Sequence, residues 1–280
     1  MTYQPTNILT YQLKYILQLA DNALITGHRL SEWCGHGPIL EQDIALTNTA
    51  LDHIGQARSL YQHAAALYNS LGDAEREGIF ESPMLQQAFS NKGKLEEDDL
   101  PYLRDAWDFC NSLLAEQANG DWAYTIARSF FTDTFNFYLY TALQNSKDEV
   151  IAAVAEKSLK EVTYHLKWSS EWVIRLGDGT DESHERMQEA VNERWAFTGE
   201  LTTANEVDKQ MLEASIGADL GQIYTQWLKH VTEVFQEATI QLPENNWMQQ
   251  GGKDGMHTEH LGYILAEMQY LQRAYPGMEW

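Results

Sequence analysis

The chain is predicted to be all-α: a bundle of long helices, followed by additional C-terminal helices. Three observations carry this. Only 6 prolines interrupt 280 residues, leaving runs long enough for helices of unusual length. Apolar residues recur at spacings of three and four, which places them on one face of a helix with about 3.6 residues per turn. Glycine and proline gather at a few positions, where they punctuate the pattern.

Each element follows in order. A first helix runs from about Asn7 to Trp33 and breaks at Cys34-Gly35-His36-Gly37-Pro38; Leu17, Asp21, Leu24 and His28 share its stripe. The second spans about Pro38 to Leu71, with Ala45, Asn48, Asp52, Gly55 and Ser59 aligned. From Gly72 to Pro101 lies an acidic connection, read as a surface excursion holding at most a short helix. The third helix, interrupted near Asn119-Gly120, extends to about Asn145 and aligns Ile126, Phe130, Asp133, Phe137 and Tyr140. The fourth spans Lys147 to Leu176, with Ile151, Val154, Ser158, Glu161, His165, Trp168 and Trp172 on one face. From Asp181 onward come three or four further helices, separated near Thr202 to Asn205 and by a loop from Pro243 to Gly255. The organisation is a single domain over 1–280, with a core bundle over about 7–176 and C-terminal helices over about 181–275.

Composition narrows the function. The formal net charge of −22 opposes nucleic acid and anionic membrane surfaces. Cys34 and Cys110 are the only cysteines, so no disulfide framework is expected. The N-terminus has no basic region followed by an apolar run, and no stretch of about 18 apolar residues occurs. The expected location is the cytoplasm.

A carboxylate on each buried seam demands explanation, because buried charges are normally paired. Bundles that hold two irons take a glutamate from each of two helices and a Glu-x-x-His pair from each of the other two. Asp21, Asp52, Asp133, Glu161 and His165 cover part of that set. The departures are specific. The second helix reads Asp52-His53-Ile54-Gly55, so the histidine position is Gly55, and His53 is rotated about 100° from Asp52. Three of the acids are the shorter Asp. On the fourth helix the imidazole is four residues after Glu161, a spacing that can still meet a metal. A two-iron centre is therefore not expected, and the chain is assigned no metal, cofactor or catalytic residue of its own. Instead, Lys160, Arg128 or His165 should pair with the seam acids, or one acid should stay protonated. The residues alone leave three other readings open: a metal-dependent monooxygenase using Asp21, Asp52, Asp133, Glu161 and His165, a coenzyme A thioester-binding module whose Lys or Arg side chains clamp phosphates, or a ferritin-like storage protein, which the incomplete site disfavours.

His257-Thr-Glu-His260 is read as a helix cap or docking segment ahead of an apolar run rather than as a metal cluster. The 9 Trp and 14 Tyr are read as core or interface anchors. The elbow before the second helix makes Glu41, Gln42, Asp43 and Ile44 the candidates for substrate or partner contact.

The segments 32–58 (EWCGHGPILEQDIALTNTALDHIGQAR) and 251–273 (GGKDGMHTEHLGYILAEMQYLQR), with Thr125-Ile-Ala-Arg128 and Lys160-Glu-Val-Thr-Tyr-His-Leu166, resemble the C subunits of bacterial phenylacetyl-CoA epoxidase. The resemblance implies a ferritin-like bundle within a multicomponent oxygenase. It further implies that an A-type paralogue holds the diiron centre and that a reductase with flavin and iron–sulfur groups passes electrons from NADPH. A chain of this kind would support the catalytic one through the outer faces of the first two helices, the 32–58 segment included. The reaction implied is epoxidation of the aromatic ring.

Overall fold

The computed structural model describes residues 8–244 and 247–278; the expected start of the first helix at Asn7 lies outside them. The helices are α1 (Ile8–Ser31), α2 (Leu40–Ser70), α3 (Asp73–Arg76), α4 (Pro83–Lys92), α5 (Asp99–Leu103), α6 (Leu113–Glu116), α7 (Trp122–Leu143), α8 (Glu149–Gly177), α9 (Asp181–Trp195), α10 (Gly199–Thr202), α11 (Glu206–Glu213), α12 (Leu220–Glu237), α13 (Glu259–Met268) and α14 (Tyr270–Ala274). Among the described residues there is no strand. The fold is the all-α, ferritin-like bundle that the sequence leads one to expect.

Helix starts follow their capping chemistry. Asp121 accepts from the Tyr124 amide at 3.1 Å, and Asp148 from the Val150 and Ile151 amides at 2.9 and 3.1 Å. Each satisfies donors that the first helical turn leaves unpaired. Asp219 does the same for α12 and Asn205 for α11.

Helix α1 lies along α2, and α7 along α8; α2 against α8 closes the bundle, while α9 and α12 cover α7. The α7 side chains Ile126, Phe130 and Phe131 are fully buried, each contributing about 1.5–3 kcal/mol of burial energy. Aromatic residues fill this core as expected. Trp122 meets Trp33, Trp168 and Trp172 edge-on, and Phe131 touches Trp195, Trp227 and Phe235. A smaller apolar cluster joins Ile25 of α1 to Phe109, Ala115, Leu261, Ile264 and Leu265.

Two elements differ from the sequence reading. The 72–101 connection is more than a solvated excursion: it carries α3, α4 and α5, and it buries Phe80, Leu85, Leu95 and Leu100 in the main core. Its acidic run stays at the surface, but Asp99 is held by Lys92 at 2.8 Å. The third bundle helix does not continue from before Asn119. Ahead of α7 the chain is irregular apart from α6 and a short turn at Ala106–Asp108. The reason is polar: Arg128 and Arg194 occupy the Gln117 and Ala118 carbonyls and the Asn119 amide oxygen, groups that a continuous helix would turn elsewhere.

Candidate functional site

Asp21 lies on the α1 seam as predicted and is completely buried. It does not meet the other seam acids. Arg104, equally buried, grips both its oxygens, one of them at 3.1 Å. The Tyr61 hydroxyl donates at 2.5 Å and the Cys110 amide at 2.9 Å. Every lone-pair direction of this carboxylate is thereby engaged. The partner is thus not Lys160 or Arg128: Lys160 is exposed, while Arg128 donates to the Gln117 carbonyl and to Asn119, both at 2.6 Å.

On α2 the seam lies one residue away from the predicted line. Leu46, Thr49, Ala50, His53, Gln56, Ala57 and Leu60 are buried, whereas Asp52 keeps 36% of its side chain exposed and Asn48 faces solvent. A Cβ added to Gly55 would meet nothing within 4 Å, so that position points away from the bundle axis and could not have held an inward imidazole. The inward imidazole of α2 is His53, at 0% exposure. Gln56 occupies the next turn, donating to Glu161 at 2.9 Å and accepting from the Tyr140 hydroxyl at 3.2 Å.

The fourth helix behaves as predicted. His165 is buried, and its Nε2 meets Asp52 Oδ2 at 2.9 Å, fulfilling the expected pairing of a seam acid with this histidine. Asp133 of α7 is also buried. Burial pushes its carboxyl up to about 6, against the opposing influence of His165 and Ser169, so one seam acid is poised near neutrality. Burial first, and then the neighbouring His165, hold His53 down to about 3.

These residues do not fit two irons. Such a centre needs several bridging carboxylates, but Asp21 is saturated by Arg104 and its neighbours. Glu161 is engaged by Gln56, and Asp52 sits at the rim with His165. What the fold does assemble is His53, Asp133 and His165: one ligand atom from each lies within 4.8 Å of the others. Sequence reasoning missed His53 because its neighbour Asp52 was placed on the seam instead.

Glu41, Gln42, Asp43 and Ile44 divide by face. Gln42 Oε1 accepts from both the Trp168 and Trp172 indoles at 2.9 Å, and Asp43 accepts from the Gly37 amide at 3.0 Å. Glu41 and Ile44 face solvent. Leu40, Ile44 and Leu51 are 71%, 51% and 60% exposed and fall on one stripe of α2 at helical spacing.

His257-Thr258 proves to be a docking segment. Glu116, at 0% exposure, accepts from the Thr258 amide and hydroxyl at 2.7 Å and binds His257 Nδ1 at 2.9 Å. Thr258 spends its hydroxyl there and makes no side-chain cap on α13. A second buried acid, Glu200, accepts from the Gly251 and Lys253 amides at 2.8 and 3.2 Å. A Cβ on Gly252 would lie 2.4 Å from the Asn111 carbonyl, so only glycine lets this strap pass. Glu116 and Glu200 were invisible to periodicity, since both lie in helices of only four residues; the run of small and polar residues at 251–258 was the signal for the surface they hold.

A family model described as Phenylacetic acid catabolic protein matches residues 2–280. The C subunit of the 1,2-phenylacetyl-CoA epoxidase of Escherichia coli (strain K12) is 43% identical over 266 residues, covering 95% of this chain and 98% of that one. No helix among the described residues is long and apolar enough to cross a membrane.

Proposed function

This chain belongs to the phenylacetic acid catabolic protein family, and on that premise we propose that it is the structural subunit of a multicomponent phenylacetyl-CoA epoxidase. In this reading it supports an A-type catalytic paralogue that holds the diiron centre, while a reductase of the same complex delivers electrons from NADPH through flavin and iron–sulfur groups. The chain itself supplies no ligand to the two irons and carries out no oxygenation. The observation that carries the reading is the 43% identity to a C subunit over 95% of this chain, joined to a seam in which Asp21, Glu161 and Asp52 are already engaged by protein partners.

The exposed stripe Leu40, Ile44 and Leu51 supports a partner surface on the outer side of α2, within the 32–58 segment. Gly55 falls on the same stripe, where its missing Cβ leaves room for a close helix approach. Apolar side chains so exposed gain from being covered. Arg29, Arg128 and Arg194 are not free to clamp the phosphates of a coenzyme A thioester, because they are buried and donate to main-chain carbonyls.

The test is co-expression of this chain with the catalytic and reductase components. A stable hetero-oligomer is expected, with a two-iron centre found only in the catalytic subunit and turnover that collapses when this chain is omitted. Full, lasting turnover by the catalytic subunit and reductase alone would refute the supporting role.

A further inference from the structure

The atoms facing one another between α2, α7 and α8 are mismatched in a particular way. An ionised carboxylate can only accept, so the 2.9 Å contact to Asp52 fixes the proton of His165 on Nε2. That leaves Nδ1 as a bare lone pair, and Nδ1 is buried with no partner. Asp133 Oδ2 is likewise buried without a partner, as are both ring nitrogens of His53. None of the three residues is more than 2% exposed, and the two rings stand 5.4 Å apart at 36°. Acceptors outnumber donors here, since the neutral His53 ring brings only one N–H and none of these atoms has a partner, although buried polar groups in native proteins almost always find one.

We infer that His53, Asp133 and His165 bind a single first-row divalent cation of the zinc or ferrous type, as a structural brace across α2, α7 and α8. Two imidazoles and one carboxylate form a donor set these ions favour over magnesium or calcium. Bonds of about 2.0–2.1 Å in a tetrahedral shell put ligand atoms roughly 3.4 Å apart. The observed spread within 4.8 Å therefore closes by up to roughly 1.4 Å in side-chain rotation. Asp52 then orients the His165 ring from behind, as carboxylates commonly do for ligating imidazoles, and its half-exposed position opens a path to solvent. The site differs from a two-iron centre: its second imidazole comes from His53, and neither Asp21 nor Glu161 takes part. It goes beyond the supporting role proposed above and stands or falls separately, since it concerns ion binding by this chain and no turnover.

The experiment uses the full chain without an affinity tag, stripped with chelator and titrated with Co²⁺ and then Zn²⁺. Expected are one Co²⁺ per chain with visible d–d absorption, its loss on adding Zn²⁺, and a rise in melting temperature with either ion. Asp133→Asn and His53→Gln should weaken binding at least about 100-fold, because each removes a direct ligand. Asp52→Asn, at the half-exposed rim and thus safe for folding, should weaken it about 10–100-fold. Glu161→Gln should leave it unchanged. No uptake, two ions per chain, or uptake indifferent to both Asp52→Asn and Asp133→Asn would overturn the assignment.

Discussion

Replacing Arg104 with methionine tests the central ion pair. The guanidinium is at 0% exposure beside Asp21, also at 0%, and it reaches Asp21 Oδ2 at 3.1 Å and the Leu100 and Asp108 carbonyls at 2.7 Å each. Methionine fills much of the volume but leaves Asp21 charged, with only the Tyr61 hydroxyl and the Cys110 amide, and strands two carbonyls. Breaking a buried pair in this way costs about 3–5 kcal/mol. At roughly 2–4 °C per kcal/mol for a domain of this size, the melting temperature should fall by about 10 °C. Asp21→Asn should also destabilise, by leaving the cation alone. Because the two residues act as one unit, the double variant should be less destabilised than the sum, with a coupling of about 1–3 kcal/mol. Urea and thermal unfolding followed by circular dichroism at pH 7 would measure all three. A loss under about 1 kcal/mol for Arg104→Met, or strict additivity in the double variant, would refute the strength assigned to this buried pair.

Other outcomes follow from the same geometry. His53 is held down to about 3 by burial and by His165; it confers stability above the ordinary histidine value, and this drains away as pH falls toward 3 and the unfolded chain takes up a proton the buried ring refuses. In chelator, His53→Leu should shift the acid-unfolding midpoint downward, and an unmoved midpoint would count against the burial argument. For His257, burial is outweighed by the Glu116 bond and charge and by the Phe109 carbonyl, so its basicity is raised. Its contribution is full below the ordinary histidine value and is lost as pH rises through the raised one. Exchange of the 251–258 amides, corrected for intrinsic rate, should therefore accelerate from pH 6 to pH 8, and equal protection at both would contradict this. Ile44→Asp with Leu51→Asp should abolish co-purification with the catalytic subunit while the melting temperature moves little, since both side chains are exposed; retained binding would move the interface elsewhere. Anaerobic loading with ferrous iron should give fewer than two irons per chain and no turnover by the isolated protein, outcomes that two tightly held irons would reverse.

The long helices were legible because their ends are written in residues that act locally. Gly35, Gly37 and Pro38 break the chain before α2, and Gly177 with Gly179 ends α8. The seam of α2 was misread for a physical reason. Leu40, Ile44 and Leu51 are apolar but face outward, while much of the true inner face is Ala, Thr and His, so the apolar average is drawn toward the surface a partner would cover. That error of one residue placed Asp52 inside and Gly55 at an imidazole position. The acid on α1 was found correctly, yet its partner Arg104 was not, because Arg104 lies in an irregular stretch without periodicity. Glu116 and Glu200 were missed as well, since they lie in helices of only four residues and their roles depend on segments more than 50 residues away.

The small apolar cluster beneath the strap has a bearing on how the chain is made. It joins Ile25 to Leu261, Ile264 and Leu265, far later in the chain, and the acids at 116 and 200 wait for amides at 251 and 258. A nascent chain can assemble α1 with α2 and α7 with α8 early, since those contacts are local in sequence, but it cannot close the wall over Ile25 until α13 has emerged. Until then Glu116 and Glu200 remain without their final amide partners. A chain that stalls or is cut before residue 251 thus exposes an apolar face flanked by two acids that keep only their Asn111 and Leu113 donors, a state that protein quality control can distinguish from a finished subunit before any assembly begins.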